Sequence, residues 1–221
     1  MGGGVVVFDI ETQNKISDML GADRLSQICN LQVSCLSYLV LDADRLFDPE
    51  DSQAAVEEAE MVTLWRDTDP DGNGPFERLF EAFDEAELIC SYNGLGFDHP
   101  VLFKHCKKVR AEAHLLKAHD AFSKLKENTG VWFKLDNLLK ANGLETKTAN
   151  GLDAIKMWNE HRRDELEAYC AQDTRALARL LALPELKLPR MATTAPNYLF
   201  GIASALAAHR MSNSLKRKRV A

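Results

Sequence analysis

The sequence lacks an apolar run near the ~20 residues needed to cross a bilayer, so no membrane-spanning helix is expected. It holds five cysteines, Cys29, Cys35, Cys90, Cys106 and Cys170, with no CxxC pair. An odd count without paired spacing excludes a zinc framework and a disulfide scaffold, and points to a reducing, intracellular compartment. No charged segment followed by a long apolar stretch opens the chain, so no secretory signal is expected. A positive charge excess is missing too. The formal net charge is −6, the wrong sign for a module held on nucleic acid by bulk electrostatics alone. It does not exclude an enzyme whose acidic site is neutralised by a divalent cation.

What is present suits a folded domain. Across 221 residues, 46% are apolar and 27% charged, enough for a substantial core. Lys216, Arg217, Lys218 and Arg219 form a basic tail on an acidic body. Such a cluster suits a nuclear import signal, a phosphate-binding arm or a plain solvated terminus.

The β-branched run Gly4 to Asp9 reads as a buried strand, and Leu31 to Leu41 as a second. Residues 42–60 read as a loop or short helix, and Val62 to Trp65 as a third strand. The cluster 69–75 is a turn, followed by a helix from Pro75 to Ala86. Glu87 to Tyr92 is a fourth strand, Asn93 to Gly96 a glycine turn, and a helix is expected from Asp98 or Pro100 to about Arg110. A fifth strand is expected at His114 to Ala118, then a helix after Asp120, a short helix from Leu135 to Asn142, and helices from Leu152 to Glu160 and Arg162 to Leu183. Residues 184–200 show little periodicity, and 201–209 suit a short helix. This order predicts an α/β fold: a sheet with helices packed on its faces, in a domain over 1–183 with a C-terminal extension over 184–221.

Asp9 and Glu11 close the first strand. Side chains two apart on a strand share a face, so their carboxylates project together. Hard oxygen donors of this kind suit magnesium or manganese; a polar strand end is the plain alternative. Asp98 opens a helix after a glycine turn, where a capping aspartate would serve equally. Tyr169 and Asp173 lie four apart on the long helix, on the stripe that also carries Leu166, Cys170 and Leu177. An aspartate on a core-facing stripe is costly unless it is paired or metal-bound.

Taken together, Asp9-Ile10-Glu11-Thr12, then Asn93 with Phe97-Asp98, then Tyr169-Cys170-Ala171-Gln172-Asp173 resemble the three motifs of the DEDD exonuclease superfamily. The third motif is the tyrosine version, because Ala168 stands where the histidine version needs His. The stretch Lys134-Leu135-Asp136, Gly143, Lys147, Gly151 and Trp158 is similar to nucleases related to polymerase-B-type exonuclease domains.

The resemblance implies a ribonuclease H-like fold with a mixed five-stranded sheet and helices on both faces. It implies 3′→5′ hydrolysis of nucleic acid, with single-stranded DNA favoured over RNA, by a two-metal-ion mechanism using Mg2+ or Mn2+. In that scheme Asp9 bridges both ions, Glu11 and Asp173 complete one, Asp98 helps hold the other, and Tyr169 orients the attacking water. With an ordinary pKa of ~10, a tyrosine is a poor general base at neutral pH. Ile10, Thr12, Asn93 and Phe97 are candidate substrate contacts, and Lys147 is a candidate for phosphate or a carboxylate. A replication or repair partner fits the small body. An RNA exonuclease, a hybrid-cutting or endonucleolytic enzyme, and a non-catalytic binding module are the alternatives.

Overall fold

A computed structural model of the chain describes residues 4–69, 72–146, 150–189, 194–196 and 200–220, with the backbone alone for 194–196, 213 and 215–220. Strand β1 (Gly4–Thr12) is central. Val5, Val6, Val7 and Phe8 are all fully buried, so both faces of this strand are covered. That is why the segment reads as a continuous apolar run rather than an alternating one.

A helix α1 (Arg24–Asn30) leads to β2 (Val33–Asp42), which pairs antiparallel with β1. Two short helices follow, α2 (Ala43–Leu46) and α3 (Ser52–Glu58). They fill the stretch expected as a loop or short helix and lead to β3 (Val62–Trp65) on the edge of the sheet. After α4 (Glu77–Glu85), the chain returns as β4 (Leu88–Ser91), parallel to β1. Next come α5 (Asp98–Leu102), α6 (Lys108–Leu115) and β5 (Ala118–Asp120), which is parallel to β4. The five-stranded order is β3-β2-β1-β4-β5.

Helices α7 (Ala121–Thr129), α8 (Leu135–Ala141), α9 (Gly151–Asn159) and α10 (Arg163–Leu181) come after the sheet. A small hairpin, β6 (Glu185–Lys187) with β7 (Thr194–Pro196), and helix α11 (Ile202–Val220) complete the described chain.

The sheet separates two cores. Val5, Val7, Leu39 and Leu41 face one side, with Leu125, Leu138, Leu177 and Leu181. Val6, Phe8, Ile10, Leu36 and Tyr38 face the other, with Ile28, Leu79, Phe83 and Val101. This is the mixed five-stranded α/β architecture with helices on both faces. Leu186, Phe200, Ile202 and Leu206, from beyond residue 183, belong to the first core.

Four elements differ from expectation. The helix expected from 98 to 110 is broken by a 3-10 turn at Phe103–His105 and two extended residues, Cys106 and Lys107. The break redirects α6 so that His114 packs on Phe80 and Phe83 and reaches Asp84 at 2.6 Å. The fifth strand is Ala118–Asp120, not 114–118. Leu116, which made the earlier run look like a strand, is 88% exposed, while the Lys117 ammonium donates to the Phe83 and Asp84 carbonyls. Residues 184–200 hold the hairpin, and α11 runs well past residue 209. The side chains of Lys216, Arg217, Lys218 and Arg219 lie outside the described residues, as does Lys147. Among the described residues, no helix is long and apolar enough to cross a membrane.

Candidate active site

Strand parity brings the first carboxylates together. Odd residues of β1 face α10: Val5 and Val7 enter the core with Leu177, and Asp9 and Glu11 continue the row beyond it. Between Ile10 and Thr12 the register with β2 slips, as Ile10 pairs with Leu36 but Thr12 with Val33. The extra residue on β2 makes a bulge beside the carboxylates. Bulges of this kind re-aim side chains and loosen pairing next to functional sites.

Helix α10 lies across β1 and β2, held by its buried stripe Leu166, Tyr169, Cys170, Thr174 and Leu177. The Thr174 hydroxyl donates to the Ser37 carbonyl at 3.2 Å, and the Cys170 thiol to the Asp9 carbonyl at 3.7 Å. These contacts set the rotation of the helix against the strand that carries Asp9. As a result, ligand oxygens of Asp9, Glu11 and Asp173 lie within 4.8 Å of one another. Glu11 and Asp173 are buried and Asp9 is half-buried. At that spacing two carboxylates repel by about 3 kcal/mol for an effective dielectric near ~20. A hard divalent cation would turn that repulsion into binding energy, and the all-oxygen donor set suits magnesium or manganese.

Tyr169 sits one turn before Asp173, 3% exposed. Burial, then the charges of Glu11, Asp173 and Asp9, then a hydrogen bond to the Asp173 side chain push its pKa well above the ordinary tyrosine value. The phenol is protonated at neutral pH and can donate its hydrogen bond to the Asp173 side chain.

Asp98 stands outside that group of three and lines a small cleft, of about 210 Å3, with Asp9, Glu11, Thr12, Asn93, Phe97 and Tyr169. It is the first residue of α5, not its cap; Phe97 occupies that position and caps nothing with its side chain. Its place depends on Gly94. A Cβ there would stand 2.1 Å from Ser91 Oγ and 3.4 Å from Asp98 Oδ2, so only glycine lets the turn pass this close. Asn93 takes the left-handed conformation at φ 66°, which asparagine tolerates better than most residues. Ile10 borders the cleft while its side chain packs in the second core. Phe97 is half-buried against that same core.

Two further residues shape the cleft: Asp120, which the sequence did not single out, and Gly151, which it offered only through the resemblance. Asp120, at the end of β5, accepts from the backbone N–H of Asn93 at 2.8 Å and of Leu95 at 3.3 Å, and also caps α7. An aspartate ending a strand before a helix was its only signal, and that signal points to the cap alone. Gly151 opens α9 through a capping box formed by Asn150 and Asp153, which brings the start of that helix to the cleft. His99 and His105 are not site groups. His99 is buried against Phe8 and Phe83, and His105 packs edge-on to Phe76.

A family model, RNase_H_2 of the RNase_H superfamily, matches residues 52–183, more than half of the chain. The chain belongs to the RNase_H superfamily. The fold of this RNase_H superfamily member is similar to that of the family B DNA polymerase from the hyperthermophilic archaeon Pyrobaculum calidifontis. The TM-score is 0.52 at 17% identity, over 82% of this chain and 24% of the polymerase. It thus spans about a quarter of that protein's length. E. coli Exonuclease I in complex with a 5cy-dT13 oligonucleotide aligns with a TM-score of 0.42 and 15% identity, over 76% of this chain and 42% of that one. No curated protein matches this superfamily member.

Proposed function

We propose that the chain is a 3′→5′ exonuclease of the DEDD tyrosine type, dependent on divalent metal and acting on single-stranded DNA. One observation carries the reading: Asp9, Glu11 and Asp173 converge within 4.8 Å, with the Tyr169 hydroxyl bonded to Asp173. Asp98 lines the same cleft as Asp9 and Glu11. The likeness to a polymerase fold and the superfamily membership add support for phosphodiester chemistry.

Asp9, Glu11 and Asp173 would hold one ion, and Asp9 with Asp98 a second. Such ions supply an activated water at neutral pH and neutralise charge developing on the attacking and departing oxygens. The chain's own groups do the rest. The Tyr169 phenol, kept protonated, orients the attacking water beside Asp173. Asn93 and Thr12 line the cleft at its polar rim, where they can hold the terminal nucleotide. Phe97 borders the cleft with its ring available to the last base. The unit over 1–183 carries this chemistry, and 184–221 is an extension from which Leu186, Phe200, Ile202 and Leu206 join the first core.

The test is incubation with 3′- and 5′-labelled DNA and RNA, single- and double-stranded, in magnesium or manganese. Mononucleotides released from the 3′ end support the reading. Cleavage of a substrate blocked at both ends would replace it with an endonuclease.

A further inference from the structure

Beside the carboxylate cleft lies a larger one, of about 580 Å3, which shares Tyr92, Asn93 and Phe97 with it. Its wall is a ladder of aromatic rings. Tyr92 meets Phe122 edge-on at 5.6 Å, and Phe122 meets Trp132 at 5.1 Å. The Tyr92 hydroxyl donates to the Phe133 carbonyl at 2.7 Å, which fixes the first rung. The last rung is anomalous for a folded domain: Trp132 is 65% exposed, with the Lys126 ammonium over its ring at 3.9 Å. Arg24 and Lys134 border the same cleft, and Asp136 does too. On a chain of net charge −6, this is a local concentration of cations beside one exposed and two half-buried rings.

An exposed tryptophan with a cation over its ring, in a cleft that adjoins an acidic one, matches one ligand chemistry. Unpaired bases stack on aromatic faces while their phosphates meet basic side chains. Bases within a duplex are already stacked and present no free face. We infer that the Tyr92–Phe122–Trp132 ladder binds the unpaired nucleotides that precede the reacting 3′ end, making single-stranded nucleic acid the substrate. Its link to catalysis rests on the exonuclease reading above; its binding role does not.

The test uses the full chain in two assays. In EDTA, 5′-fluorescein dT15 and rU15, a blunt 15-base-pair duplex and a proline-rich peptide are titrated against wild type, Trp132→Ala and Lys126→Ala, by anisotropy and tryptophan fluorescence. In manganese, the same proteins are given dT15 and the p-nitrophenyl ester of thymidine 5′-monophosphate, which is too short to reach Trp132. Single strands should bind wild type more tightly than duplex and quench its fluorescence. Trp132→Ala should weaken binding about ten-fold and slow dT15 hydrolysis, with an unchanged melting temperature and unchanged ester hydrolysis. The dT15 and rU15 arms separate deoxyribose from ribose strands. Equal binding by wild type and Trp132→Ala, preference for duplex, or binding of the peptide alone would overturn the inference. Absence of ester and strand hydrolysis in wild type, with Trp132-dependent binding intact, would sink the exonuclease reading and leave the binding cleft standing.

Discussion

The Asp120 carboxylate accepts the Asn93 backbone N–H at 2.8 Å, across 27 residues of sequence. A second bond, from the Leu95 N–H at 3.3 Å, ties the same carboxylate to the turn that delivers Asp98. The carboxylate that caps α7 therefore also sets where a metal-ligand candidate stands. Asp120→Ala removes the cap and both turn contacts, and should cost about 1–3 kcal/mol of stability. Turnover should fall about ten-fold or more, while manganese still binds at Asp9, Glu11 and Asp173. Asp120→Asn keeps an acceptor oxygen and should recover part of the rate. Full kcat in Asp120→Ala would contradict the positioning role.

Tyr169→Phe separates the phenol from the ring. The ring packs with Cys35, Ala154 and Leu166, so the variant should fold as wild type does. Loss of the hydroxyl should lower kcat by about 10- to 100-fold and leave manganese affinity, read by calorimetry, nearly unchanged. An unchanged kcat would remove tyrosine from the mechanism.

Burial, reinforced by the neighbouring His114, pushes the His99 pKa down to about 4, and its Nε2 has no hydrogen-bond partner among the described residues. In the unfolded chain an imidazole titrates near ~6.5. Between those values the unfolded state holds a proton that the folded state refuses, so stability drops as pH falls from about 6.5 toward 4. The loss from this group is on the order of 2 kcal/mol at about pH 4.5. His99→Leu keeps an apolar side chain among Phe8, Phe83 and Phe103 and should flatten that part of the profile. Denaturant midpoints at neutral and acid pH decide it; identical pH slopes for wild type and variant would refute the assignment.

Much of the sheet was legible because its signals are local. Val5 to Phe8 and Val62 to Trp65 announce strands by composition, and Asp9 with Glu11 share a face by strand parity alone. Tyr169 and Asp173 stood out because a helix rarely places a carboxylate on its core stripe. The fifth strand was misplaced because Leu115 and Leu116 imitate a buried run, although Leu116 faces solvent. Asp120 and Trp132 escaped notice because their roles depend on long-range neighbours. Asp120 acts on backbone groups that carry no side-chain signature. Trp132 gains meaning only from standing in line with Phe122, on α7, and Tyr92, just after β4.

The proposed hydrolysis depends on the three converged carboxylates. The most direct measurement is manganese-dependent shortening of a 5′-labelled single strand by wild type, Asp9→Asn and Asp173→Asn, with folding checked by circular dichroism. Wild type should shorten the strand stepwise from its 3′ end, and both folded variants should be slower by about a thousand-fold or more. Full activity in either variant would contradict the proposed metal site.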